Sequence, residues 1–315
     1  MRNENFCFKL IYLFTGISRI IISFKQNIKN NIKFVFTSEI NKYSIQTYQE
    51  NFKDKEINFD ITKVPESDIP IHDILLAGFP CQAFSIAGLR KGFEDIRGTL
   101  FFDVARIIKY HMPKVIFLEN VKGLVNHNKG NTFQVILSTL KDLGYHIHYK
   151  ILNAKDFGVP QNRERIYIVG FKDFVDFSFP EPLKTETKLG SILESNVDPK
   201  YTISDRLWDG HQRRKETHKK KGNGFGYSLF NHESVYTSTI SARYYKDGSE
   251  ILISQENNNP RKITPRESAR LQGFPDSFII PVSDLQAYKQ FGNTVCVPVI
   301  KAIANEICKL LADHK

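Results

Sequence analysis

Apolar and polar residues alternate along the first 175 positions in a way that predicts strands and helices in turn. Short apolar runs ended by a turn or a polar residue are typical of buried strands, and apolar residues three or four positions apart are typical of one helix face. The predicted strands are residues 9–14, 34–36, 57–61, 74–77, 115–118 and 165–171. The predicted helix faces lie in residues 17–24, 101–110 and 133–140. This alternation is typical of an α/β fold with a doubly wound, mostly parallel sheet.

The pattern changes near residue 176, where periodicity weakens and prolines become frequent. A basic run at 211–221 precedes a glycine-rich stretch at 222–227, and residues 237–245 have the composition of a β segment. Helical order returns at Thr264, where Thr-Pro-Arg-Glu combines a capping threonine, a first-turn proline and a glutamate three residues on. Residues 294–314 predict a last amphipathic helix. We therefore expect two domains, residues 1–175 with 262–315, and a smaller one of residues 176–261.

Polar residues occur where predicted strands meet the loops that follow them. Glu39, Asp60, Cys81 and Glu119 each lie at or just after such a strand end. The carboxyl ends of parallel strands share one edge of a sheet, where open α/β proteins bind their ligands. A thiol in a strand-to-helix loop is accessible to a substrate, although a free cysteine most often packs as a small apolar residue. The octapeptide 78–85, Gly-Phe-Pro-Cys-Gln-Ala-Phe-Ser, leaves both interpretations of Cys81 open.

Net charge indicates the class of partner, and cysteine content indicates the cellular compartment. The formal net charge of +10 favours a polyanion such as nucleic acid, and basic residues mixed with glycine and aromatics suit phosphate binding and base stacking. Four cysteines without C-x-x-C spacing indicate a reducing compartment and no metal site. The apolar stretch 10–24 contains Arg19 and is too short to span a bilayer, so we expect a cytoplasmic protein without membrane association.

Six motifs, in order over nearly the whole chain, resemble those of the DNA (cytosine-5)-methyltransferase family. Residues 78–85 resemble its Pro-Cys loop, residues 119–121 its Glu-Asn-Val motif, and residues 161–165 its Gln-x-Arg-x-Arg motif. The other matches lie at 97–102, 266–275 and 286–294. The resemblance implies a Rossmann-like, S-adenosylmethionine-dependent methyltransferase domain with a smaller target-recognition domain, of the bacterial restriction-modification type.

The resemblance also implies a reaction at a cytosine flipped out of double-stranded DNA, with S-adenosyl-L-methionine as methyl donor. Cys81 is then the nucleophile that adds to C6, because C5 becomes nucleophilic only after that addition. Glu119 is expected to hold and protonate N3, Arg165 to bind O2, and Arg163 to support the thiol loop or a nearby phosphate. The implied cofactor contacts are Phe14, Gly16, Glu39, Ile40, Asp60, Ile61, Pro80, Leu100, Asn293 and Val295. The implied DNA contacts are Gln82, Ser85, Thr239, Ile240 and Arg243.

Two departures from the family pattern keep alternatives open. Ser18 and Arg19 replace glycines that allow positive φ and close approach of a ligand, so a DNA-binding homologue with impaired catalysis is one alternative. A tRNA cytosine-5 methyltransferase is another. A thiol hydrolase built on Cys81 needs a histidine base, and His72 and His111 lie in no recognisable hydrolase motif. We expect a monomer that acts beside a cognate restriction endonuclease on a short, CCWGG-like site.

Overall fold

The computed structural model describes residues 7–14, 16–17, 32–52, 57–58, 60–80, 100–183, 185–224 and 226–313. The main sheet has six strands. They are β1 (Phe8–Leu13), β2 (Ile32–Ser38), β3 (Ile74–Ala77), β4 (Val115–Val121), β5 (His146–Asn153) and β6 (Glu164–Phe171). Their spatial order is β2-β1-β3-β4-β6-β5.

The first four strands are parallel, and β6 is antiparallel to both β4 and β5. The predicted mostly parallel sheet is therefore confirmed, with an antiparallel pair at one edge. The strand expected at 57–61 is wrong for the described residues there. Asn58 makes only an isolated bridge to Ser38, and Ile61–Lys63 forms a short 3-10 turn. Asp60 caps that turn rather than ending a strand.

Helices cover both faces of this sheet. They include α1 (Lys42–Asn51), α2 (Leu100–His111) and α3 (Asn131–Asp142). Since successive strand residues point to opposite faces, Leu10, Leu76 and Phe117 share one apolar cluster with the C-terminal helix. Leu75 and Ile116 pack on the other face with α2 and α3. The sheet is thus doubly wound. The helix expected at 17–24 lies outside the described residues apart from Ile17.

A second, smaller sheet and a basic helix follow. The helix α4 (Asp205–Lys220) precedes the strands β7 (Leu229–Phe230), β8 (Leu252–Gln255) and β9 (Asn258–Lys262), which pair in that order. The β segment expected at 237–245 is wrong: Thr237 forms an isolated bridge to Gln161, and residues 242–247 are turns. This region shares an apolar cluster with Leu271 and Tyr288 of the helices that follow. The domain division at 176 and 261 stays a prediction.

Three helices complete the chain: α5 (Pro265–Leu271), α6 (Asp284–Asn293) and α7 (Val297–Asp313). The helix start expected at Thr264 is confirmed, because its hydroxyl accepts from the Glu267 N–H at 3.1 Å and the Glu267 carboxylate accepts from the Thr264 N–H at 2.8 Å. Across the part of the chain that the structure describes, no helix combines the length and apolarity needed to cross a membrane.

Candidate active site

Glu119 and Arg165 meet at the carboxyl edge of the sheet, the edge at which β1 to β4 end. Glu119 pairs with Tyr167 and Val121 with Arg165 across the antiparallel β4–β6 ladder, so Glu119 and Arg165 are diagonal neighbours on one face. Arg165 Nε lies 3.3 Å from Glu119 Oε1, and the Glu119 side chain is 15% exposed. Burial raises the pKa of the Glu119 carboxyl, and the charges of Arg165 and Arg163 offset that rise only in part. The raised pKa favours a protonated carboxyl, the form that can donate a proton.

The segment that leads to Cys81 is bound to the end of β4. The buried Asn120 donates from Nδ2 to the Phe79 carbonyl at 2.8 Å, and its Oδ1 accepts from the Val121 N–H at 2.8 Å. On the other side, Glu119 Oε2 lies 3.7 Å from the position that a Cβ on Gly78 would take. Gly78 and Phe79 therefore lie directly beside Glu119 and Asn120.

The loop beyond Pro80 carries several of the predicted site residues. Cys81, Gln82 and Ser85 lie outside the described residues, as do Ser18 and Arg19. Their roles stay predictions.

Arg163 is buried and binds three carbonyl oxygens. Its side chain donates to Ile240 O at 3.1 Å, Gly292 O at 3.1 Å and Thr294 O at 2.7 Å. Arg163 is 2% exposed, and burial lowers the pKa of its guanidinium to about 9. Arg163 was expected to support the thiol loop or to bind a nearby phosphate, and its buried position does not agree with phosphate binding. Arg163 instead joins the segment around Ile240 to the segment that follows α6.

The same network includes Ile240, which was expected to contact DNA. Its side chain is fully buried, and its N–H donates to Gln161 Oε1 at 3.1 Å. The expected DNA contact of Ile240 stays a prediction. Gln161 Nε2 donates to Leu271 O at 3.0 Å, so this glutamine ties the segment around Ile240 to the end of α5, a positioning role that the sequence analysis did not assign. Its place at the head of the Gln-x-Arg-x-Arg motif was the signal. Thr239 is partly exposed and donates to Asn162 O at 2.6 Å.

The turn after β1 and the end of β2 form the expected cofactor side. Phe14 and Gly16 have left-handed φ values of 57° and 53°. The Glu39 carboxylate accepts backbone N–H groups from Gly16 at 2.6 Å, Ile40 at 2.9 Å and Asn41 at 2.8 Å. These bonds fix the carboxylate against the turn, and Ile40 beside it is 69% exposed.

The residues at this turn fit the S-adenosylmethionine that the resemblance implies. A fixed carboxylate can accept from the ribose hydroxyls, the exposed Ile40 offers apolar surface to the adenine, and the space beside Gly16 is free of heavy atoms within 4 Å among the residues the structure describes. The remaining predicted contacts vary in exposure: Pro80 and Asn293 are exposed, Asp60 and Leu100 are partly buried, and Ile61 and Val295 are buried.

A cavity of about 320 Å³ connects the cofactor side to the recognition segment. Gly16 and Asn293, both expected to contact the cofactor, line it together with Arg243 and Lys289. Arg243, expected to contact DNA, thus lies close to the cofactor turn. Within the described ranges, no three His, Cys, Asp or Glu side chains are grouped as a metal site requires.

The two histidines considered for a thiol hydrolase lie elsewhere. His72 and His111 pack against each other with ring centroids 4.7 Å apart. His72 precedes β3 and His111 ends α2, whereas Cys81 follows the end of β3. The histidines therefore lie at the opposite edge of the sheet from residues 78–80, which lead to Cys81. This separation disfavours a thiol hydrolase.

Comparisons with known proteins agree with the resemblance drawn from the motifs. The family model described as C-5 cytosine-specific DNA methylase matches residues 8–309. The type II methyltransferase M1.ScrFI of Lactococcus lactis subsp. cremoris is 61% identical over 313 residues, which cover 98% of this chain and 80% of that protein. M.SsoII of Shigella sonnei is 60% identical over 314 residues, covering 98% and 82%.

A solved structure shares the fold. The Entamoeba histolytica methyltransferase EhMeth matches with a TM-score of 0.77 at 23% identity, over 98% of this chain and 99% of that one. The resemblance drawn from the motifs and the expected fold class are both confirmed. The chain belongs to the C-5 cytosine-specific DNA methylase family and is a DNA (cytosine-5)-methyltransferase.

Proposed function

We propose that the chain methylates C5 of a flipped-out cytosine in duplex DNA through a covalent adduct on Cys81. The observation that carries the proposal is the Glu119–Arg165 pair, 3.3 Å apart, beside the segment that ends one residue before Cys81. An acid with a raised pKa, a cation and a thiol are the three groups that addition to a pyrimidine needs, and this arrangement supports their meeting at one edge of the sheet.

Cys81, Glu119 and Arg165 each act at a different atom of the cytosine ring. The Cys81 thiolate forms a bond to C6 while Glu119 gives its proton to N3, so negative charge does not accumulate on the ring. Arg165 binds O2 and keeps Glu119 in place. S-adenosylmethionine, when bound, supplies an electrophilic methyl group to C5. Loss of the C5 proton to solvent, departure of the thiolate and return of the N3 proton to the Glu119 carboxylate then restore the ring as neutral 5-methylcytosine.

The cofactor contacts proposed for this chain are those at the turn after β1 and the end of β2. Glu39 binds the ribose hydroxyls, Ile40 and Phe14 contact the adenine, and Gly16 lets the donor approach the backbone. The exposed Asn293, which lines the same cavity as Gly16, supports a contact from the C-terminal segment.

The biological setting follows from the relatives. The type II methyltransferases that match nearly the whole chain support a modification enzyme of a bacterial restriction-modification system, acting in the cytoplasm beside an endonuclease of the same specificity. We propose residues 176–261 as the target-recognition domain and the rest as the catalytic domain. Monomeric action stays a prediction.

Transfer of tritium from labelled S-adenosylmethionine to unmethylated, mixed-sequence genomic DNA tests the proposal. We expect label in cytosine C5, a strong loss in Glu119→Gln, and little change in the matched control Glu164→Gln, because Glu164 is an exposed partner of Lys122. Label in tRNA and not in DNA would favour the tRNA alternative. A wild-type protein that binds DNA but transfers no label would overturn the proposal.

A further inference from the structure

The cavity of about 320 Å³ between the cofactor turn and the recognition segment has a positive lining. We call it the cationic cavity. Among the described residues that line it, Arg243 and Lys289 are the charged ones, and no carboxylate balances them there. Arg243 donates from its backbone N–H to Ser241 Oγ, but its guanidinium bonds to none of the residues that the structure describes. Two cations without a counter-ion suit the cavity to an anion.

A buried amide in the wall of the cationic cavity also lacks an acceptor. Gln290 is 7% exposed and lines the cavity. Its Oε1 accepts from the Thr47 hydroxyl at 3.1 Å, whereas its Nε2 has no hydrogen-bond partner within the described part of the chain. Because a buried donor without an acceptor is costly, Gln290 Nε2 marks a position where a ligand oxygen is expected.

Packing between two segments brings these three donors to one space. Lys289 and Gln290 are neighbours on α6. Arg243 belongs to the turn at 242–247, which lies so close to α6 that a Cβ on Gly292 would overlap the backbone of Ala242. The turn is therefore held against α6, and the side chain of Arg243 enters the same cavity as those of Lys289 and Gln290.

The cationic cavity borders the carboxylate that we propose for the ribose of the methyl donor. Gly16 and Asn41 line the cavity, and their N–H groups donate to Glu39 at 2.6 and 2.8 Å. S-adenosylmethionine carries one carboxylate, at the end of a flexible chain that leaves the ribose through the sulfur. A ribose at Glu39 therefore leaves this carboxylate free to enter the cavity. A phosphate within a duplex is joined to a sugar on each side, so it is less suited to a buried amide in a space of this size.

We propose that Arg243, Lys289 and Gln290 bind the carboxylate of the methyl donor. The inference rests on the proposed function, which places the ribose at Glu39. Guanidinium and ammonium groups form strong, charge-assisted hydrogen bonds with a carboxylate, and Gln290 Nε2 supplies a third donor from the buried wall. Since Arg243 belongs to the proposed target-recognition domain, that domain contributes directly to donor binding.

Isothermal titration calorimetry with two ligands tests the inference. S-adenosylhomocysteine and its decarboxylated analogue differ only in the carboxylate, and the wild type should bind the first at least tenfold more tightly. Because hydrogen bonds to charged groups are the stronger ones, Arg243→Met should weaken binding of S-adenosylhomocysteine about tenfold and leave binding of the analogue unchanged. The matched control Arg213→Met removes an exposed cation of α4 that does not line the cavity, and it should change neither affinity.

Gln290→Glu is a second variant with a different physical effect. The new carboxylate keeps an acceptor for the Thr47 hydroxyl and pairs with Arg243 and Lys289 in place of the ligand carboxylate. This variant should therefore lose more affinity for S-adenosylhomocysteine than Arg243→Met does, without losing affinity for the decarboxylated analogue. Retained binding of the analogue shows that the variant is folded.

Equal wild-type affinities for the two ligands would overturn the inference, as would a ratio of affinities that Arg243→Met leaves unchanged. A loss in Arg243→Met confined to DNA binding would assign this side chain to DNA instead. Tritium transfer by the wild type separates these results from the proposed function. A wild type that labels DNA but does not distinguish the two ligands overturns this inference alone, whereas one that binds neither ligand overturns the proposed function as well.

Discussion

Replacement of Arg261 by alanine should destabilise the protein strongly, because it strands a buried charge. Arg261 on β9 is 6% exposed, Glu267 in α5 is fully buried, and two hydrogen bonds of 2.7 and 2.8 Å join them. The Glu267 carboxylate also accepts the N–H groups of Thr264 and Glu194, each at 2.8 Å. Four hydrogen bonds thus reach one carboxylate where β9 meets α5, and the Arg261 guanidinium supplies the positive charge.

The size of the stability loss follows from the unpaired, buried Glu267 carboxylate that the substitution creates. Arg261→Ala removes two of the four donors and the only charge paired with Glu267 in the described residues. Breaking one partner from a buried pair costs about 3–5 kcal/mol. For 315 residues at about 2.1 cal/mol/K each, the unfolding entropy is roughly 0.66 kcal/mol/K. The expected fall in Tm is therefore about 5–8 °C.

Differential scanning calorimetry measures this shift, with Lys309→Ala as the control. Lys309 pairs with Glu306 on the surface, where the two side chains are 66% and 31% exposed, so its loss should cost less than about 1 kcal/mol. Adding Glu267→Gln to Arg261→Ala neutralises the stranded carboxylate and should recover part of the lost stability. The reasoning is refuted if Arg261→Ala lowers the Tm no more than Lys309→Ala does.

Two further predictions concern the site. Because burial raises the pKa of Glu119, its protonated fraction falls as the pH rises through that raised value, and kcat should fall with it. A pH–rate profile measures this fall in kcat at high pH, and the residual activity of Glu119→Gln should not show it. A profile that the substitution leaves unchanged would contradict Glu119 as the proton donor. A Cβ on Gly292 would overlap the backbone of Ser241 and Ala242, so Gly292→Ala should displace the segment that carries the expected DNA contacts Thr239 and Arg243. DNA affinity in anisotropy measurements should then fall by about tenfold, equivalent to roughly 1.4 kcal/mol. The control Gly210→Ala meets no atom within 4 Å among the described residues and should bind as the wild type does, so equal affinities for the two variants would show that the close approach is dispensable.

Elements with a clear apolar run or one apolar helix face could be predicted from the sequence. The runs that became β3 and β4 and the helices α2, α3 and α7 have apolar patterns set by local spacing, and these predictions are confirmed. The edge strand β5 was missed because only one of its eight residues, Leu152, is buried and no apolar run marks it. The helix α4 was missed because it presents no apolar stripe, so its basic run indicated only a solvated or phosphate-binding segment.

Local pattern says little about contacts between distant segments. The apolar run at 115–118 placed Glu119 just after a strand, and the structure has it among the last three residues of β4. The bonds from Arg163 to Ile240 and Gly292 span 77 and 129 residues, and no local signal in the sequence marks them. The same limit explains residues 237–245, whose backbone partners include Gln161 and Pro160 rather than a neighbouring strand.

Covalent trapping tests the central claim most directly. Duplex DNA of mixed sequence in which 5-fluorocytosine replaces cytosine is incubated with the protein and S-adenosylmethionine, then resolved by denaturing electrophoresis. Fluorine at C5 cannot leave as a proton does, so an adduct through Cys81 should persist as a band of protein joined to DNA in the wild type and be absent in Cys81→Ser. A band of equal intensity from Cys81→Ser would contradict attack by this thiol.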